Sequence, residues 1–331
     1  MLGAGPVGLI AALAAARRGP TTLVTAHWPP SSSRRRIDVI PAPFLTLLLE
    51  LGVDPGQLGV EDLQDTRLVA WENVDPTARR SPASAHVERS RLECALAYAA
   101  ERAPNIEVVV KKGDCRSLHP DLVIDATGRT AASAERRIAP RRLWYAQTFY
   151  TAMHVSKAVQ GFRLAALPRG YVYRLGSAHH LMIGVVGCEP RRTPEQIEDD
   201  IRESGGGWLL AGAPRLGSMC RGRGGATSVQ WSEGGDSPIR VGDASLARDA
   251  LASQGMAAGG SDALQLASGA LLPVARWLYR VADQRARHLS ALRATIAACR
   301  FRGHSAWTEY ARFIENHTQT RPGDLLTPSS T

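Results

Sequence analysis

Lysine is almost missing from this sequence: Lys111, Lys112 and Lys157 stand against 40 basic residues in a chain of 331. The net charge of +9 is therefore carried by arginine. No basic stripe is interleaved with aromatics, which argues for a solvated basic surface and against a nucleic-acid face. Such a surface favours anionic cofactors or an acidic partner. The five cysteines, Cys94, Cys115, Cys188, Cys220 and Cys299, are odd in number and form no CxxC pair. The expectation is a protein of the reducing cytoplasm without structural zinc. No apolar stretch reaches the roughly 20 residues that a bilayer span needs, so no membrane span is expected. Leu2 to Ala16 is apolar and small, but it lacks a preceding basic segment and a cleavage site, so it does not read as a signal peptide.

At 331 residues and 44% hydrophobic content the chain is long enough for one large domain or two interleaved ones. A glycine-rich turn leads into an Ala-rich helix ending near Gly19, and Thr22 to Thr25 follows as a short strand. This is the second half of a β-α-β unit. A buried parallel strand needs about five residues, and only Met1 and Leu2 precede the glycines, so the strand is expected to begin upstream. Helices are expected at Phe44 to Leu51 and at Ser90 to Arg102, with strands at Ile106 to Val110 and Leu122 to Ile124. From Trp144 to about Trp231 the pattern alternates, as an antiparallel sheet does, around a polar helix near Pro194 to Ser204. Nucleotide-binding texture returns at Ile239, and Arg/Ala-rich helices and a Pro/Ser/Thr tail close the chain.

Three segments carry chemistry. In Gly3-Ala4-Gly5-Pro6-Val7-Gly8, Gly3 permits a tight turn, Gly5 lets the backbone approach a pyrophosphate, and Gly8 allows helix to pack on strand. The helix N-terminus adds free amides and partial positive charge, and Pro6 favours FAD over NAD. The acidic residue usual for the ribose is missing, since Thr25, Ala26 and His27 stand there, which leaves Thr25 or Arg36 to hold that sugar. The second segment, Asp121 to Arg129, is a strand entering a small-residue turn in which Asp125 can cap the turn and Gly128 admits a close ligand. The third runs Arg240-Val241-Gly242-Asp243-Ala244, then Arg248 to Met256. A strand there delivers the Asp243 carboxylate to polyol hydroxyls, and the next helix starts at Gln254, Gly255 and Met256.

In that order, these segments resemble the GxGxxG, DG-type and GD motifs of the single-component flavoprotein aromatic monooxygenases and the flavin-dependent halogenases. The likeness spans about residues 1 to 315. It implies an α/β fold: a Rossmann-like FAD-binding domain (1–140 and 238–275), an inserted antiparallel substrate sheet (141–237), and C-terminal helices with a loose tail (276–331). It also implies that Arg89, which opens an Arg-x-x-Leu helix, and Arg36 both touch the dinucleotide. Ala250 and Ser253 stand where the family often has Pro and Gly. The form Arg-Asp-Ala-Leu-Ala-Ser-Gln-Gly, and the tail Cys299 to Phe313, are similar to flavoproteins that modify a tryptophan side chain in tryptophylquinone biogenesis.

The resemblance implies hydroxylation of an aromatic ring through a flavin hydroperoxide, with NAD(P)H as electron donor and a Trp-containing polypeptide as one substrate. The protein's part is positioning and water exclusion. His154, His179, His180 and Tyr173 are candidates for deprotonating a substrate, although residues of these types in such a sheet are more often structural or surface residues. A halogenase reading lacks its tunnel lysine before Lys111 and its WxWxIP segment, where Tyr171-Val172-Tyr173-Arg174-Leu175 stands instead. A lipid or isoprenoid reductase and a non-catalytic flavin-binding accessory protein remain as alternatives.

Overall fold

The computed structural model describes residues 1–30, 36–60, 63–111, 122–137, 141–151, 161–177, 179–187, 192–217, 219–231, 238–249, 251, 255–267 and 274–318. In the first third, α1 (Pro6–Ala16) is followed by β1 (Thr21–Thr25), β2 (Ile37–Pro41), α2 (Ala42–Glu50), β3 (Gln64–Ala70), β4 (Thr77–Glu88), α3 (Arg89–Arg102) and β5 (Ile106–Val110). β6 (Ile124–Asp125) and β7 (Arg136–Arg137) lead to β8 (Arg141–Thr151), β9 (Gly161–Leu167), β10 (Gly170–Gly176) and β11 (His180–Val186). Then come α4 (Pro194–Glu203), β12 (Cys220–Ala226), β13 (Ser228–Trp231), β14 (Ile239–Arg240) and β15 (Leu246–Ala247). The chain closes with α5 (Gly255–Ala267), α6 (Val274–Ala297) and α7 (Ser305–Thr318).

A parallel layer carries the three chemical segments. β5 pairs with β1, Leu2 bridges Val24 of β1 and Asp125 of β6, and β6 pairs with β14, every pairing being parallel. The chain start thus occupies the middle of the layer: Leu2 donates to Ile124 O at 2.8 Å, and Ala126 returns a bond to Leu2 O at 2.8 Å. α1 is apolar all round because it is enclosed; Leu9, Ile10, Ala11 and Ala12 are fully buried against α2, α3 and α5.

The second layer is an eight-stranded sheet of order β12-β8-β11-β10-β9-β3-β4-β2. Its strands alternate faces: Tyr171 pack with Trp71 and the α6–α7 side, while Val172, Ile183 and Val185 pack with Ile197 and Ile201 of α4. α4 is fixed at its start by a capping box between Thr193 and Gln196. The α/β architecture with a large antiparallel sheet agrees with the sequence reading. One boundary differs. Residues 37–88 were expected in the nucleotide-binding half, but β3 pairs with β9 and brings β2 and β4 into the eight-stranded sheet. β4 (TARRSPASAHVE) is exposed for half its length, so it carries no hydrophobic alternation to announce it. β12, within the span expected as antiparallel sheet, is an outer strand of it, paired along β8.

Candidate functional site

One large cavity, about 860 Å³, lies where the two layers meet. Its parallel-layer wall includes Gly3, Gly5, Pro6, Thr25 and Ala26, together with Gly128, Arg129 and Asp243. Gly3 has φ +93°, and a Cβ there would stand 2.8 Å from Ala126 O, so the crossing of the first two segments requires glycine. Gly8 lies behind the wall, where a Cβ would meet Gly3 O at 1.9 Å. Gly242 is also behind it, packed on Val7. α1 starts at Gly5 without a side-chain cap and with Pro6 in its first turn, leaving first-turn amides free for a ligand.

Asp125 is fully buried and off the cavity wall. It caps its turn as expected: Oδ1 accepts from Thr127 N at 2.8 Å and Oδ2 from Ser133 N at 2.9 Å. The second and third segments are tied by Val241 N donating to Asp125 O at 3.0 Å and by an ion pair of Arg129 Nε with Asp243 Oδ2 at 3.3 Å.

Arg36 and Arg89 both reach the cavity, and between them lies Asp38, which the sequence reading missed. Arg89 holds Asp38 through Nε and through Nη2 at 3.0 Å, while Arg36 Nε lies 3.9 Å from it. Burial pulls the Arg89 guanidinium down, but attraction to Asp38 and Glu93 outweighs it and raises Arg89 above its ordinary value. Arg36 Nε is buried without a hydrogen-bond partner. An Arg-x-Asp pair at a strand start was the available signal. Lys111 also lines the cavity, beside Thr25, whose carbonyl accepts its amide at 2.8 Å.

The opposite wall belongs to the eight-stranded sheet: Phe162, Leu164, Tyr171, Tyr173, Leu175 and Met182, with Gln147. Gln147 Nε2 donates to Tyr173 Oη, and burial pushes the Tyr173 phenol up to about 12 despite that bond. Tyr173 is thus a neutral hydroxyl at ordinary pH. Of the histidines, His180 pairs with Glu88 at 3.5 Å and packs on Phe149, and neither it nor His179 is on the cavity wall. His154 and Gln254 lie outside the described residues, as do Ala250 and Ser253.

The cavity is completed by Arg248, Asp249 and Leu251 and by Gly255 and Met256 at the start of α5. Asp249 Oδ2 accepts from Tyr310 Oη, Oδ1 accepts from Leu251 N at 3.0 Å, and its amide donates to His288 Nε2 at 3.1 Å. Burial, with Arg248 and Arg285 nearby, lowers His288 to about 4 although Asp249 opposes the shift. The imidazole is therefore the neutral acceptor this bond requires. Among the described residues no group of three His, Cys, Asp or Glu is placed to hold a metal, and no helix is long and apolar enough to cross a membrane.

Comparison of the sequence with family models and with curated proteins finds no match. Solved structures do match. A peptidyl tryptophan dihydroxylase, QhpG, essential for tryptophylquinone cofactor biogenesis, superposes with a TM-score of 0.70 at 21% identity over 93% of this chain and 76% of that one. The chain shares that protein's fold. The myxobacterial chondrochloren halogenase CndH gives 0.69 at 16% identity, over 96% of this chain and 89% of that one. The flavin-dependent brominase Bmp2 gives 0.71 at 12%, over 97% and 98%.

Proposed function

We propose that this protein is an FAD-dependent monooxygenase that hydroxylates an aromatic ring, the tryptophan of a polypeptide being the substrate class, with NAD(P)H as electron donor. The observation that carries the reading is the cavity itself. It joins a dinucleotide-type wall (Gly3, Gly5, Asp243, and cations Arg36, Arg129 and Lys111) to an apolar aromatic wall. The residues present fit FAD: an uncapped helix start and the buried Arg36 Nε, which makes no hydrogen bond, suit a pyrophosphate, and Asp243 suits ribityl hydroxyls. Gly128, Arg89, Gly255 and Met256 line the same volume, while Gly8, Asp125 and Gly242 support its backbone.

FAD supplies the activation of oxygen when bound. The chain's own residues bind it, hold the ring of the substrate against Phe162, Leu164 and Tyr171, and exclude water. Tyr173, neutral and tied to Gln147, orients the substrate rather than titrating. In this reading residues 1–140 and 238–275 supply the cofactor half, 141–237 the substrate half with 37–88 shared, and 276–331 the closing helices, in a protein of the cytoplasm.

A halogenase is the second reading, favoured by the fold of CndH and Bmp2. Against it, Lys111 sits beside Thr25 and not on the aromatic wall; Lys112 and Lys157 lie outside the described residues. The deciding experiment incubates the FAD-loaded protein with NAD(P)H, labelled oxygen, bromide and a Trp-containing peptide. Mass spectrometry should show a gain of one or two labelled oxygen atoms. Bromide incorporation instead would establish the halogenase, and unmodified peptide with stable bound FAD would leave a flavin-binding accessory role.

A further inference from the structure

Arg248 is the cavity residue whose charge the FAD reading leaves unused. It is 7% exposed, and its guanidinium is held from one side only: Nη2 donates to Gln284 Oε1 at 2.8 Å, while Nη1 is buried with no partner. Gln284 is in turn oriented by α5. Its Nε2 donates to Asp262 Oδ1 at 3.1 Å, and the same oxygen accepts from Arg280 Nη2 at 3.0 Å. Asp262 is thus committed to Arg280, and Arg248 reaches it only through a neutral amide. Burial lowers the Arg248 pKa, with attraction to Asp262 and Asp243 opposing and Arg280 adding to the fall.

A buried guanidinium with an unused N–H is unfavourable unless something supplies an oxygen. Arg248 lies on the wall between Asp243, Asp249 and the α5 start at Gly255. Asp249 is not that oxygen source: its oxygens accept from Leu251 N and Tyr310 Oη, and neither reaches Nη1, which has no hydrogen-bond partner. The remaining source is the cavity. We propose that Arg248 is a ligand-binding residue, oriented by Gln284 and Asp262, whose free N–H bonds an oxygen of the bound ligand that carries negative charge.

Two sources offer that chemistry, and the proposal rests on the functional reading above for the first. A flavin takes up two electrons and one proton on reduction and becomes an anion; an acidic side chain beside the reacting tryptophan of a polypeptide brings a carboxylate, which indole-3-acetate mimics. Charge-assisted bonds are the strong ones, and a planar fork held on one edge presents the other in a fixed direction. A guanidinium acting only as a tie between the 248–251 segment and α6 would have no preference for ligand charge.

The test compares wild type, Arg248→Met, which keeps the length and loses the charge, and Arg248→Lys, which keeps the charge and loses the Gln284 bond. Two measurements are made on each: the ratio of affinities for reduced and oxidised FAD, and calorimetric binding of indole-3-acetate against neutral indole-3-acetamide. With the cofactor as source, Arg248→Met lowers the preference for reduced over oxidised FAD about tenfold or more. With the substrate as source, it leaves that ratio alone and removes an about tenfold preference for the acetate. Folded Arg248→Met with both ratios at wild-type values overturns the proposal. Should it not fold, Arg248→Lys must weaken whichever preference wild type shows, and unchanged ratios there overturn it equally. If wild type binds no FAD, the functional reading fails separately, and the indole arm on the same protein still decides for or against Arg248.

Discussion

At the scale of single residues, Asp243 is where the sequence and the structure meet most directly. The GD segment pointed to it, and the structure places its carboxylate on the cavity wall, in an ion pair with Arg129 at 3.3 Å. Both partners are substantially solvated, so the pair adds at most about 1 kcal/mol to stability. A carboxylate bonded to ligand hydroxyls contributes roughly 1.5 to 3 kcal/mol to binding. Asp243→Ala should therefore weaken FAD binding at least about tenfold while the melting temperature of the protein without FAD stays put. Flavin content after purification and a fluorescence titration check this; unchanged content and affinity would remove Asp243 from the site. Asp38 and Arg248 were not legible in the same way. Asp38 had only its spacing from Arg36 to mark it, and Arg248, which directly follows β15, stood in the third segment without a role of its own; their roles come from Arg89 and Gln284, which lie 51 and 36 residues away.

At the scale of elements, the helices and parallel strands were readable because local periodicity makes them: α1, α2, α3, β1 and β5 fall within a few residues of the sequence reading. At the chain start, Leu2 bridges Val24 of β1 and Asp125 of β6. β2 to β4 were not legible as parts of the eight-stranded sheet, because their pairing is long-range. Two predictions belong here. Gly8→Ala places a methyl against backbone, at Gly3 O, which cannot rotate aside. Overpacking of this kind costs about 1 to 3 kcal/mol, so the midpoint of urea unfolding should fall and FAD affinity with it; wild-type values for both would contradict the packing role.

The second concerns the seam between α6 and the 248–251 segment. His288 is held neutral, at about 4, whereas an unfolded histidine titrates near 6.5. Between those values the unfolded chain binds the extra proton, so stability rises with pH and is lost as pH falls from about 6.5 toward 4. The full effect is up to about 3 kcal/mol. Unfolding midpoints measured from pH 7 to 4.5 should decline, and His288→Gln, which keeps an acceptor for the Asp249 amide, should decline less steeply. Equal slopes would show that His288 does not titrate on unfolding.

At the scale of the whole molecule, the relevant quantity is the charge of +9, carried almost wholly by arginine. A field of one sign raises the encounter rate of an oppositely charged partner and does little for a neutral one. An acidic Trp-containing polypeptide would gain from it; a small phenol would not. Arg221 belongs to this surface: β12 is an outer strand of the eight-stranded sheet, where Arg221 donates Nη2 to Arg192 O. Arg223 follows in the same strand, its side chain outside the described residues. Replacing both with Glu should weaken binding of an acidic Trp peptide and leave FAD affinity unchanged. Raising salt should reproduce the loss in wild type, because the screening length contracts from about 10 Å at 0.1 M to about 3 Å at 1 M. The two effects should not add, since each removes the same field. Peptide binding indifferent to both salt and substitution, alongside efficient turnover of free phenols, would overturn the polypeptide substrate and leave the aromatic hydroxylase reading to stand on the cavity alone.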